Sequence, residues 1–297
     1  MIHFKHIAVV GVGLIGGSFA LAARRAGLCE RLTGWDGGRS LDRALSAGVI
    51  DAIETSFDEG RLCEADLVYV AAPIEGILDF INHRGHLLKD RAIVTDAGSA
   101  KREICQAARQ YLPESVHFVG GHPMAGSHKR GVEFATADLF ADAPYVITLS
   151  ETPEEAGQDQ TEAIRKIVET VCLIGARLVM MEVDKHDYVV ARVSHAPQIV
   201  STALALAVAN HAREHALTIA GSGLADMIRL AQSEWKVWEG ICKSNAGELI
   251  SALDEILIEI ASLRDAMRAE KWENLGNAFH TAKLFSETLE QRKADKS

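Results

Sequence analysis

An α/β half followed by an all-helical half is the architecture that this sequence predicts. Three features predict it. Short β-branched runs alternate with helix-patterned stretches as far as residue 182, and a glycine-rich turn follows the first run directly. Beyond residue 183 the strand pattern gives way to alanine, leucine, isoleucine and glutamate at helical spacing. Strands are expected at 6–12, 32–35, 67–70, 92–95, 117–119, 145–149 and 177–181. Most are apolar from end to end, the pattern of parallel strands covered on both faces. Connecting helices are expected at 14–26, 40–47, 74–82, 101–111 and 154–174. In the second half, 184–209 reads as one long helix in which Pro197, lacking an amide hydrogen, makes a kink near Ser194 and His195. Further helices are expected at 223–230, 234–243, 247–269 and 272–291.

Composition narrows the function classes. The 297 residues, 48% apolar and 24% charged, are enough for two domains with ordinary cores, which excludes disordered and fibrous readings. A formal charge of -10 leaves no sequence-wide positive field, so neither nucleic acid nor an anionic membrane is an expected partner. The five cysteines, Cys29, Cys63, Cys105, Cys172 and Cys242, never form the close pairs of zinc or redox motifs. They read as small hydrophobes in a reducing compartment, and no metal site is expected. MIHFKHIAVVGVG enters a strand without the basic and apolar regions of a signal peptide, and the apolar stretch at 203–209 is too short to span a bilayer. A cytoplasmic location is the expectation, with no regulatory module at either end. The amphipathic helices of the second half cannot bury their apolar faces alone, so a homodimer through that half is expected.

The strongest local signal is the strand, turn and Ala-rich helix around Gly11-Val12-Gly13-Leu14-Ile15-Gly16. In a dinucleotide-binding fold Gly11 permits the tight turn, Gly13 lets backbone amides approach a pyrophosphate, and Gly16 lets helix and strand pack closely. Leu14 and Ile15 complete the loop. Asp36, 25 residues after Gly11, ends the second strand where a carboxylate can take both ribose hydroxyls of NAD and repel a 2'-phosphate. A plain turn residue at Asp36-Gly37-Gly38 is the competing reading, and Arg39 keeps NADP as an alternative. Ala72 and Pro73, at another strand end, form a flat wall for the nicotinamide or a simple helix start. The chain thus divides into a Rossmann-like NAD-binding domain, 1–182, and a helical substrate-binding and dimerisation domain, 183–297.

Two more strand ends carry polar residues among glycines: Asp96-Ala97-Gly98-Ser99-Ala100-Lys101 and Gly120-Gly121-His122-Pro123-Met124-Ala125-Gly126-Ser127. Both emerge on the sheet edge that carries the cofactor, so Ser99 and His122 can meet. A histidine that titrates near neutrality suits removal of a hydroxyl proton as hydride leaves the same carbon. A serine hydroxyl can orient that imidazole or the alcohol. A core histidine and a turn serine are the bland readings.

With these motifs the sequence resembles the prephenate and arogenate dehydrogenases. The resemblance is carried by GVGLIGGS (11–18), DAGSAK (96–101), GGHPMAGSHKRGVE (120–133), VSHAPQ (193–198) and DMIRLAQSEWKVW (226–238), in family order. It implies oxidative decarboxylation of prephenate: hydride passes from C4 of the cyclohexadienol to NAD, the ring carboxylate leaves as carbon dioxide, and the ring becomes aromatic. By position it makes His122 the base on the C4 hydroxyl and Ser99 its hydrogen-bonding neighbour. His195 and Arg229 match residues that hold substrate carboxylate, Ser127 lies in the substrate motif, and Trp238 matches an aromatic at the pocket mouth. Arg229 suits that role because a guanidinium grips a carboxylate through two parallel hydrogen bonds. An Arg229–Asp226 surface pair and a core-packed His195 are the alternatives.

The chain departs from the family pattern at His128, at Gln198 and at Gln232-Ser233-Glu234-Trp235, which leaves arogenate as an alternative substrate. His128, Lys129 and Arg130 form a tight basic cluster, read as a solvated loop or an attractor of the anionic substrate. A β-hydroxyacid dehydrogenase-like reductase would place a catalytic lysine on the long helix, where Lys185 stands, and would leave the His122 strand end unexplained. A dinucleotide sensor without turnover would have no use for a titrating base at His122.

Overall fold

The computed structural model describes residues 2–36, 40–54, 64–126, 129–149 and 157–294. Its first half alternates strands and helices. β1 (Phe4–Val10), α1 (Leu14–Arg25), β2 (Cys29–Trp35), α2 (Ser40–Ser46), β3 (Ala52–Ile53), β4 (Leu67–Val70), α3 (Ile74–Arg84), β5 (Ile93–Asp96), α4 (Arg102–Tyr111), β6 (His117–Pro123), β7 (Pro144–Leu149), α5 (Gln158–Leu173) and β8 (Arg177–Glu182) follow one another. The strands form one sheet in the order β3-β2-β1-β4-β5-β6-β7-β8. From β3 to β6 all neighbours are parallel. β7 runs antiparallel to β6 and parallel to β8.

Local chemistry accounts for the elements. The buried residues of α5, Ala163, Ile167, Thr170 and Val171, recur at helical spacing and face the sheet. α1 ends in Arg24 and Arg25, whose charges complement the C-terminal end of the helix dipole. Two apolar layers cover the sheet. One joins Ile7, Val9 and Tyr69 to Phe19 and to Ile167 of α5. The other packs Val10, Val68 and Val94 under Ile77, Phe80 and Ile104, and includes Ile241 from the helical half.

That half comprises α6 (Val183–Val190), a π turn at Ala191–His195, α7 (Ala196–His211), α8 (Arg213–Ile219), α9 (Ser222–Ile228) with a 3-10 turn at Arg229–Gln232, α10 (Trp235–Ser244), α11 (Ala246–Arg268) and α12 (Trp272–Ala294). Ala191, Ala196, Leu249 and Ala252 make its small core. Its outer helices leave large apolar side chains in solvent, among them Leu257 at 61%, Ile258 at 66%, Phe279 at 67% and Phe285 at 73% exposure. No helix among the described residues is long and apolar enough to cross a membrane. Among the described residues no group of three or more His, Cys, Asp or Glu side chains is arranged to hold a metal ion.

Several expectations change. β1 stops at Val10 because Gly11 adopts φ +86°, which ends the extended run before Val12. β3 and α8 are additional, each too short to show a period in sequence. The antiparallel β7 was not expected. The 20 residues between Pro123 and Pro144 hold no described crossover helix, only a 3-10 turn at Val132–Phe134, so the chain returns alongside β6 in the opposite sense. The expected kink is a π turn. Pro197 has no N–H to give to the carbonyl four residues back, and the helix takes up the mismatch by widening over the preceding turn. The first residues of the expected 154–174 helix lie outside the described residues.

The tightest packing is at the glycine turn. A Cβ built on Gly16 would stand 2.1 Å from the Gly11 carbonyl oxygen, whereas one on Gly13 would meet nothing within 4 Å. Gly16→Ala should therefore lower stability by about 1–3 kcal/mol, as overpacking does, while Gly13→Ala leaves the urea midpoint nearly unchanged. Equal midpoints for the two variants would contradict this packing.

Candidate active site

Strand order reverses between β1 and β4, so the C-terminal ends of β1, β4, β5 and β6 open on one edge of the sheet. The glycine turn leaves β1 there. Gly11 N donates to the Trp35 carbonyl at 2.8 Å, and a Cβ on Gly11 would lie 2.5 Å from the Ala71 carbonyl oxygen. The turn therefore presses on Ala71-Ala72-Pro73, and Pro73 is the residue that caps α3. Gly13 faces open space, as a site for pyrophosphate requires. Asp36 directly follows β2, at the same edge. Arg39, which kept NADP open, lies outside the described residues.

The two motifs after β5 and β6 are tied together by a buried ion pair. The Lys101 ammonium, fully buried, meets the equally buried Asp96 carboxylate and donates to the Gly121 carbonyl at 2.8 Å. Asp96 also accepts the Gly98 amide at 2.8 Å and the Gly121 amide at 3.1 Å. A buried pair of this kind is stable only when its remaining polar atoms are satisfied, as these are. The consequence is a rigid connection between the Ser99 loop and the strand that carries His122.

His122, 6% exposed, turns its ring to the helical half. Its Nδ1 lies 2.8 Å from Nε2 of His186 on α6, and His186 Nδ1 lies 2.7 Å from the Asp187 carboxylate. Asp187 accepts the Lys101 amide at 2.8 Å and the Arg102 amide at 2.9 Å as well, so it caps α4 from another element. Burial opposes the charge on Asp187, but these three hydrogen bonds hold its carboxyl below the usual carboxylate value. The protons follow from the acceptor at the end of the chain. An ionised Asp187 takes the N–H of His186 Nδ1; His186 Nε2 then accepts from His122 Nδ1–H, and His122 Nε2 keeps a free lone pair. Burial, followed by the neighbouring His186, Lys101 and His195, holds the His122 imidazole well below its ordinary value. It is therefore neutral at pH 7, the form in which it can accept a proton.

His195 stands in the π turn, 1% exposed, with Asn245 Nδ2 at 3.4 Å from its Nδ1. Asn245 also donates to the Asp187 main chain at 2.9 Å. Nε2 of His195 and Oδ1 of Asn245 are buried without a hydrogen-bond partner among the described residues. Burial lowers the His195 imidazole to about 4, against the opposing pull of Asp187 and of the Ser99 main chain. Its ring meets Trp238 edge-on at 6.0 Å. Neutral imidazole and amide atoms left bare inside a protein are the groups that a polar ligand would satisfy.

The structure thus joins His122, His195 and Trp238, which the sequence places far apart. The expected hydrogen bond from Ser99 to His122 is not formed; His186 of α6 is the partner instead. Ser99 contributes its main chain near His195. Arg229 is the exposed first residue of the 3-10 turn packed on α7. It makes no ion pair among the described residues, so the Asp226 pairing is not formed. Ser127 and His128 lie outside the described residues, whereas Lys129 covers the Phe134 ring and Arg130 pairs with Glu234. Lys185 lies over the Tyr188 ring on the outer face of α6, not in the site. His186, Asp187 and Asn245 were missed. Their one trace in sequence is a His-Asp pair just after the last strand.

If His186 orients His122, His186→Phe should lower kcat by roughly tenfold or more, a part of what a general base contributes. Loss of the neighbouring imidazole should also displace the acid limb of kcat/KM. In the parent protein that limb should fall below pH 6.5, because activity is lost only when a base of depressed pKa becomes protonated. An acid limb and kcat unchanged by the substitution would show that His122 needs no such partner.

Residues 19–180 match the family described as "Prephenate dehydrogenase, nucleotide-binding domain", and residues 182–281 match "Prephenate dehydrogenase, dimerization domain". The prephenate dehydrogenase of Bacillus subtilis is 34% identical over 295 residues, covering 96% of this chain and 76% of that protein. The crystal structure of prephenate dehydrogenase from A. aeolicus, in complex with hydroxyphenyl propionate and NAD+, superposes with a TM-score of 0.87 at 26% identity, over 96% of this chain and 98% of that one. Synechocystis arogenate dehydrogenase superposes with a TM-score of 0.77 at 27% identity, over 97% and 99% of the two chains. A glycine turn at a switch point, a buried histidine at the end of a strand of the same sheet and likeness over nearly the whole chain lead to one conclusion: this chain belongs to the prephenate dehydrogenase family.

Proposed function

We propose that the protein is an NAD-dependent prephenate dehydrogenase, converting prephenate to 4-hydroxyphenylpyruvate and carbon dioxide. The observation that carries this reading is the neutral His122 imidazole, its Nε2 lone pair free, at the sheet edge shared with the glycine turn. When bound there, NAD supplies the acceptor for the C4 hydride.

His122 takes the C4 hydroxyl proton as that hydride departs, leaving a carbonyl at C4. The bond from C1 to the ring carboxylate then breaks, its electron pair aromatises the ring, and the imidazolium returns its proton to the ring oxygen. Aromatisation makes the step effectively irreversible. Asp187 and His186 keep the base in the tautomer that faces the alcohol. Prephenate is a dianion and the chain is acidic, so binding relies on local groups. Arg229, unpaired among the described residues, suits a carboxylate; His195, with Nε2 bare, suits a polar group beside Trp238. Ser99 serves the substrate alcohol in this reading rather than the imidazole. The glycine turn of Gly11, Gly13, Leu14, Ile15 and Gly16 holds the pyrophosphate, Asp36 the ribose, and Ala72 with Pro73 the nicotinamide side.

The 1–182 half is then the cofactor domain. The 183–297 half carries substrate groups and joins a second copy through the apolar faces of α11 and α12, too extensive to leave in water. Among the described residues Cys29, Cys172 and Cys242 are free thiols, in keeping with a cytoplasmic setting.

One assay tests the reaction: prephenate or arogenate crossed with NAD or NADP, following nicotinamide reduction. Prephenate with NAD is the expected pair, and His122→Asn should lose at least ~100-fold in kcat while still binding NAD. Preference for arogenate would move the protein to the sister activity, and full turnover by His122→Asn would remove the base from the mechanism.

A further inference from the structure

We infer that Gln198 is a positioning residue for substrate affinity, its side-chain amide fixing the turn from which Arg229 projects. The inference rests on Arg229 gripping the substrate carboxylate. Gln198 stands on α7, three residues beyond His195, and is 5% exposed. Its amide reaches across to the 3-10 turn Arg229–Gln232. Nε2 donates to the Leu230 carbonyl at 2.8 Å and lies 3.5 Å from Thr202 Oγ1, while Oε1 accepts from Ser233 Oγ at 3.3 Å. The turn closes on the same carbonyl, through Ser233 N to Leu230 O at 3.0 Å. One buried amide therefore ties down both the residue after Arg229 and the residue that ends the turn.

Only a side chain with a donor and an acceptor on one short stem can do this. A glutamate would turn lone pairs towards the Leu230 carbonyl; an apolar side chain would leave both turn groups unpaired. A further tether of the segment among the described residues is the pair between Glu234, 67% exposed, and Arg130, 47% exposed. Solvent-screened pairs of that kind hold little, so Gln198 is the stronger anchor. The Arg229 side chain is itself exposed and unpaired among the described residues, so its reach is set by where its backbone is held. Loosening that backbone should degrade carboxylate binding without touching the proton or hydride path.

The test measures kcat and KM for prephenate, and KM for NAD, in Gln198→Glu, Gln198→Met and Ser233→Ala, each also combined with Arg229→Ala. Thermal unfolding reports that each variant is folded, and Ser233→Ala, which removes an exposed hydroxyl, leaves the core intact. Both Gln198 variants should raise the prephenate KM about fivefold or more, with kcat within about twofold and the NAD KM unchanged. Ser233→Ala should move KM the same way by less. In the Arg229→Ala background the Gln198 variants should add almost nothing, since the effect runs through the missing guanidinium. An undiminished KM rise in that background would show that Gln198 acts on substrate directly and would overturn the inference. So would folded variants with the parent KM. If Arg229→Ala alone leaves KM unchanged, the reading of Arg229 fails first and the inference falls with it.

Discussion

The carboxylate of Asp187 is the point on which the site's architecture depends. It accepts from His186, from the Lys101 amide and from the Arg102 amide, and its own main chain accepts from Asn245. Those groups come from α4, from α6 and from the residue between α10 and α11. One buried charge thus orients the His122 relay, closes the N-terminus of a helix of the α/β half, and holds the helical half against it. A buried charge is tolerable only with such saturation by donors. Saturation in turn demands that every donor keep its place.

The second constraint is dryness. Lys101 and Asp96 cancel each other inside the sheet edge, and His122, His186 and His195 are buried. The site consequently offers the neutral imidazoles of His122 and His195 in a poorly screened interior, where a substrate's charges interact more strongly than in water. A histidine kept neutral by burial is available as a base at ordinary pH, and its availability ends only under acid. In the proposed reaction the cationic help for a dianionic substrate is assigned to the exposed Arg229 rather than to these buried groups.

These features explain why the two halves make one catalytic unit. The glycine turn, Ser99 and His122 are delivered by strand ends of the sheet, whereas His186, His195, Trp238 and, between two helices, Asn245 are delivered by the helical half that begins where the last strand stops. The π turn contributes by displacing His195 from the regular helical path, and widened turns of this kind recur at functional sites. Membership of the prephenate dehydrogenase family agrees with that division, one half matching a nucleotide-binding domain and the other a dimerization domain.

Much of this was legible in the residues alone. Apolar runs of four to seven residues bounded by glycine and followed by helical periodicity can form little besides a covered sheet, and a turn spaced as Gly11, Gly13 and Gly16 identifies its cofactor edge. Pro197 announced a break in a helix because the missing hydrogen is a covalent fact. The sequence therefore determined seven of the eight strands, the glycine turn and the strand-end histidine. Only the tertiary structure decided that His122 meets His186 rather than Ser99, that β7 runs against β6, and that Gln198 holds the Arg229 turn. Those outcomes turn on which groups from distant segments reach hydrogen-bonding distance once α6 and α7 dock on the sheet. Local propensity and spacing carry no information about such distances, because a hydrogen bond is decided by tenths of an ångström between atoms that the chain brings together only on folding.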